Sequence, residues 1–254
     1  MLRNANPSLS QLSDVEQQTD SLQLLTGNPL LDANLQHTFG LDLDVNKANC
    51  KLGLSLKYIL EKRPVMEETN YDSNHLLFVK TYNNQRRFET LNANLYANID
   101  LFKEHVNVYF SGGVNHFIST GNAYRHRFTN FYYISQVQAD YKKMFFTALF
   151  IRQNYLFYGE QMNSWNQYNQ YTLGYKFRNN MRLSVGIMNP FGEFDHDTKE
   201  SYAAAARWKE QTYYPNLKQC LLATFSWNLN FGKQYKALQR KLENSDSENG
   251  ILKN

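Results

Sequence analysis

Hydrophobic and polar residues alternate along most of this chain with a period of two. Leu35, His37, Phe39, Leu41, Leu43 and Val45 fall on one side of an extended segment, with Gln36, Thr38, Gly40, Asp42 and Asp44 on the other. Successive side chains of a strand point to opposite faces, so this alternation predicts a strand with one apolar face. The link 46–49 predicts a tight hairpin. The pattern resumes at Leu52, Leu54, Leu56, Tyr58 and Leu60, then at Leu91, Ala93, Leu95, Ala97, Ile99 and Leu101. It continues at Val106, Val108 and Phe110, at Phe131, Tyr133, Val137, Ala139 and Tyr141, and at Tyr171, Leu173, Tyr175 and Phe177. It closes with Met181, Leu183, Val185 and Ile187, and with Leu221, Ala223, Phe225, Trp227, Leu229 and Phe231. Between Phe145 and Tyr158 apolar residues run together and the face is ambiguous, which a bulge would explain.

About nine strands of roughly 9 to 14 residues result, the length a tilted strand needs to cross a bilayer. Short links at 46–49, 102–105, 142–144 and 178–180 alternate with long ones at 61–75, 119–128, 159–167 and 190–216. That asymmetry is expected of a transmembrane barrel with short periplasmic turns and long extracellular loops. A soluble β-sandwich has no reason to alternate its links this way, and it would expose the apolar faces as large patches. The fold expected is all-β: an antiparallel transmembrane β-barrel segment of about nine strands, an incomplete part of a larger barrel. Residues 1–232 form the barrel portion, with 1–31 as an extracellular lead-in, and residues 233–254 form a charged periplasmic tail.

Composition fits. Mean hydropathy is −0.62 although aromatics make up 15% of the chain, with 18 Tyr and 17 Phe. No apolar run approaches the roughly 18 residues of a membrane-spanning helix, whereas a barrel hides its apolar signal in every second residue. The strand-end aromatics Tyr132, Tyr133, Tyr155, Tyr158, Trp165, Tyr168, Tyr171, Tyr213 and Tyr214 suit an interfacial girdle. A net charge of +4 from scattered Lys and Arg points to no nucleic-acid partner. Cys50 and Cys220 stand far apart without metal-ligand spacing and read as free thiols. The first residues lack the apolar core of an export signal, so a signal peptide is expected upstream of Met1 in a longer precursor.

Three stretches resemble a known family: Pro7-Ser8-Leu9-Ser10-Gln11-Leu12, then Gly27-Asn28-Pro29-Leu30-Leu31 before the first long strand, then Trp227-Asn228-Leu229-Asn230-Phe231-Gly232-Lys233 with the charged tail. In order and spacing the chain is similar to the TonB-dependent receptor-like outer-membrane β-barrel family of Bacteroidetes. The resemblance implies a cell outer-membrane location and a barrel of about 22 strands in full-length members. It also implies a plug domain, a partnership with the TonB complex, and uptake of a scarce nutrient such as a metal chelate, vitamin, glycan or peptide. A non-transporting surface barrel serving adhesion or assembly is the alternative.

On this reading Leu91, Ala93, Leu95, Leu183, Val185, Phe225, Trp227 and Leu229 meet outer-membrane lipid, and Asn92, Asn94, Asn98, Asn228 and Asn230 face the lumen with Asn107, Gln136, Gln138 and Asp140. No Gly-rich phosphate loop, nucleophile elbow or HExxH motif is present, and no enzyme activity, cofactor or metal site is expected. Glu193, Asp195, His196, Asp197 and Glu200 carry metal-ligand chemistry but read better as a solvated loop. His105 and His116 lie at a turn and near a strand end, and His37, His75 and His126 have no partners at ligand spacing. Tyr132, Trp165 and Trp208 are candidate loop platforms for flat ligands or sugars.

Overall fold

The computed structural model describes residues 2–152, 154–165, 167–178, 180–191 and 196–229. The lead-in holds β1 (Leu2–Ala5), one helical turn α1 (Leu9–Leu12), β2 (Gln17–Asp20) and β3 (Gln23–Leu25). A long hairpin follows, β4 (Asn34–Lys47) and β5 (Cys50–Lys62), then a short one, β6 (Val65–Asp72) and β7 (Leu77–Asn84). Next come β8 (Arg87–Leu101), β9 (Val106–Thr120), β10 (Arg125–Tyr141) and β11 (Met144–Ile151). A second short hairpin, β12 (Asn154–Tyr158) and β13 (Gln161–Trp165), precedes β14 (Tyr168–Arg178) and β15 (Met181–Met188). The last elements are β16 (His196–Ser201), β17 (Trp208–Tyr213), a 3-10 turn (Pro215–Leu217) and β18 (Cys220–Trp227).

Ten strands form one antiparallel sheet in the order β1-β4-β5-β8-β9-β10-β11-β14-β15-β18. Its two edges do not pair with each other, so among the described residues the wall is open. β1 covers only the start of β4, from Leu2 opposite His37 to Ala5 opposite Asn34. The all-β antiparallel architecture is the one the alternation predicts, with β1 as an additional strand drawn from the lead-in.

Register keeps each face of the sheet chemically uniform, because a slip of one residue would exchange the faces. Leu54, Leu95, Gly112 and Tyr133 stand in one cross-strand row on the apolar face. Asp44, Gly53 and Tyr96 share a row on the polar face. There a Cβ on Gly53 would lie 2.0 Å from the Tyr96 ring. The missing side chain lets that ring cross Gly53 and donate its hydroxyl to Asp44 at 2.6 Å.

The ambiguous stretch resolves without a bulge in β11. Its pairing with β10 and β14 is continuous, so Met144, Phe146, Ala148 and Phe150 share the apolar face, while Phe145, Thr147, Leu149 and Ile151 lie on the other. After Ile151 the chain leaves the sheet, and β12 joins a different one. The irregular register falls instead in β14, between Lys176 and Arg178.

The larger difference concerns the long links, which the alternation left as loops. One four-stranded sheet has the order β2-β3-β7-β6, with β3 and β7 parallel; the other has the order β12-β13-β16-β17. Link 61–75 supplies β6, link 159–167 supplies β13, and link 190–216 supplies β16 and β17. These segments lack a period-two signal because few of their side chains need burial: Met66 is the deeply buried residue of β6, and β17 has none. Link 119–128 is shorter than expected, since β9 and β10 extend until only residues 121–124 separate them.

Met66, Phe88, Phe117, Phe157 and Met162 form the hydrophobic core, joined by Phe128, Tyr155, Tyr158 and Tyr202. The core therefore lies at the long-link end, where the smaller sheets cap the wall. The apolar face of the wall stays uncovered: Phe39, Leu41, Leu91, Leu95, Val185 and Phe225 are each at least half exposed.

Candidate functional site

Three polar strand segments remote in sequence converge at the capped end. Alternation in β17 sets Trp208, Glu210 and Thr212 on one face, and in β16 it sets Asp197 and Lys199 on the same side. Asn163, Lys199 and Glu210 stand in one cross-strand row of β13, β16 and β17. Across from them β6 and β7 present Glu67 and Lys80, and a cleft of about 560 Å³ lies between.

The cleft is wired by polar contacts. Gln161 donates from Nε2 to Glu67 Oε1 at 2.6 Å, and Lys80 Nζ lies 3.8 Å from the same oxygen. Lys80 Nζ also sits 5.7 Å from the ring centroid of Trp208, a cation–π distance. A hydrogen bond to Asp197 at the rim raises the Tyr214 hydroxyl pKa. Carboxylates, ammonium groups, amides and an indole share one recess, which suits a polar ligand with a flat face. Of these residues Trp208 and Asp197 are legible in the sequence as candidates. Glu67, Lys80, Gln161, Asn163 and Glu210 are not, because they lie on strands of two separate small sheets that meet only in the folded cap.

Outside the cleft lining the cap holds an ionisable cluster. His126, on β10, stacks on Tyr124 at 5.0 Å between centroids, and its Nε2 lies 3.5 Å from Glu160 Oε1. Phe157 and Tyr202 complete the aromatic surround of His126. Burial pushes the Glu160 carboxyl above the usual carboxylate range, with its hydrogen bond to His126 opposing the shift. Burial likewise pushes the Tyr124 phenol up to about 12. Sequence spacing gives His126 no partner; folding supplies Glu160 from 34 residues downstream.

Leu91, Leu95, Leu183, Val185, Phe225, Trp227 and Leu229 are 41–57% exposed, and Ala93 is half-buried among them. On the opposite face Asn92 donates to Asn115 at 2.6 Å and to the Tyr132 hydroxyl at 3.0 Å. Asn94 accepts from Ser111 and Tyr132, and Asn98 accepts from Asn107. Asn228 follows β18 and donates its backbone N–H to Asn180, while Asn230 lies outside the described residues.

Three expected placements need correction. Tyr132 is a mid-strand residue of β10, held by two asparagines, and no loop platform. Tyr155 and Tyr158 pack into the cap core instead of standing in a girdle. In the acidic loop, His196 and Asp197 alternate to opposite sides of β16, while Glu193 and Asp195 lie outside the described residues. Among the described residues no three His, Cys, Asp or Glu side chains gather as a metal site. The side chain of Trp165 is outside the described part.

The model of an outer membrane protein β-barrel family matches residues 2–242. The chain belongs to that family. Its fold is accordingly barrel wall, and its place is the cell outer membrane. No curated protein and no solved structure matches this outer-membrane β-barrel chain significantly.

Proposed function

We propose that this outer-membrane β-barrel protein is the C-terminal wall of a TonB-dependent receptor that takes up a scarce nutrient and captures it at the capped end. The observation carrying the proposal is the division of labour in the fold. All three inserted hairpin regions sit at one end of the wall and build a polar cleft there, while the other end is closed by short turns. The apolar face meets lipid and the asparagine-rich face lines a lumen, where Asn92 donates to Asn115, Ser111 donates to Asn94 and Asn107 donates to Asn98. The open edges, at β18 and at β1 with the part of β4 beyond it, accept the strands that complete the barrel, because an unpaired edge row of N–H and C=O groups is not tolerated in hydrocarbon. The work is binding and passage, with no catalysis; the expected tail at 233–254 lies outside the described residues.

Two measurements test this. A heat-modifiable outer-membrane band far heavier than 29.9 kDa is expected on immunoblots. Cells lacking the protein should lose accumulation of one class among labelled metal chelates, vitamins, glycans and peptides, and depletion of TonB should cause the same loss. Unchanged uptake of every class would leave a surface barrel for adhesion or assembly as the better account.

A further inference from the structure

The apolar face of the wall is hollowed at one place near the short turns. Val106, Ala139, Phe146 and Leu173 form one cross-strand row through β9, β10, β11 and β14. Ala139 contributes a single methyl group between a branched side chain and a ring, and a groove of about 430 Å³ opens over it. Phe102 and Tyr141 wall the groove and are 75% and 67% exposed. A volume of this size lies in the range of about 300–1,000 Å³ typical of small-ligand sites.

The turns that bound this groove are rich in cations, while its own lining includes His105 and Asp140. The β8–β9 and β10–β11 turns at its mouth carry Lys103, Lys142 and Lys143, all exposed, against one turn carboxylate, Glu104. Lys142 Nζ lies 5.2 Å from the ring centroid of Tyr141, so a cation rests against one of the rings that line the groove. Asp140 is on the opposite face and is engaged by Lys176. By contrast the hollow lined by Phe146, Leu173, Val185 and Leu221 has no charged side chain in its lining.

An apolar channel with cations at its mouth complements an anionic amphiphile, and in the outer membrane that is a lipid. We propose that this groove binds one anionic glycerophospholipid of the periplasmic leaflet, with an acyl chain over Ala139 and the phosphate at Lys142, in the field of Lys103 and Lys143. The site needs the apolar face to meet lipid, but it does not depend on any transport activity.

The test uses protein extracted from its own membrane in mild detergent, incubated with phosphatidylglycerol or phosphatidylcholine, with retained lipids counted by native mass spectrometry. One phosphatidylglycerol per protein should be retained in preference to phosphatidylcholine. The double variant Lys142→Ala, Lys143→Ala should weaken its retention about 25-fold, since each lysine near an anionic lipid contributes about fivefold. Ala139→Phe fills the groove floor without changing charge and should also release the lipid, with heat-modifiable migration confirming that both variants fold. Equal retention of the two lipids would overturn the proposal. So would loss in the lysine variant alone, which would mean headgroup attraction without an acyl seat.

Discussion

Replacing Leu95 by arginine asks directly whether the apolar face meets hydrocarbon. Leu95 lies six residues before the short-turn end of β8, which Leu101 marks. At ~3.3 Å per residue and a tilt of ~40°, this places it ~15 Å above the turn, near the middle of an apolar band ~25 Å tall. Arginine there should cost about 2–4 kcal/mol. Were the same face in water, a substitution at a half-exposed position would stay within about 0.5 kcal/mol. Phe225 stands two residues from the end of β18, ~5 Å in height, where an arginine can reach the interface. Phe225→Arg should therefore cost only about 1 kcal/mol. The polar-face control must avoid Asn94, which accepts hydrogen bonds from Ser111 and Tyr132 and would lose about 1–2 kcal/mol for that reason alone. Gln138, exposed on the polar face, is the better position. Urea unfolding in phospholipid vesicles, followed by tryptophan fluorescence and gel mobility, separates these cases. A loss for Leu95→Arg no larger than that for Gln138→Arg would refute the face assignment.

Three further outcomes follow from the cap and the polar face. Phe157→Ala removes a ring that is 2% exposed and packed on Phe128 and Tyr202, and should cost about 3–5 kcal/mol. Faster proteolysis of the capped end, with the wall still heat-modifiable, would show the effect. The raised Glu160 carboxyl favours the protonated folded cap, so its contribution is present at low pH and is lost as pH rises through the folded-state value. The protease resistance of the cap relative to Glu160→Gln should therefore fall as pH increases from the carboxylate range toward neutrality; a constant difference would contradict this. Gly53→Ala drives a methyl group into the Tyr96 ring and should break its bond to Asp44, costing about 1–2 kcal/mol in the same unfolding assay.

Alternation alone determined the wall. Where one side of a strand is apolar and the other polar, each side chain reports its own face. Eight of the ten strands of the large sheet are therefore legible with their faces, together with the short turns between them and the membrane class. In the cap that signal fails, since Glu67, Lys199 and Trp208 sit on strands whose two faces do not divide into apolar and polar. Their meeting depends on β13 pairing with β16 and on the two small sheets facing each other across the cleft, contacts between distant parts of the chain that no local pattern records. The same holds for β11, where aromatic residues on both faces hide the period until pairing with β10 and β14 selects one register. What the sequence by itself determined is the face each long strand turns to its surroundings; what tertiary structure decided is the company the polar residues keep, because hydrogen bonding and charge pairing are settled by neighbours in space.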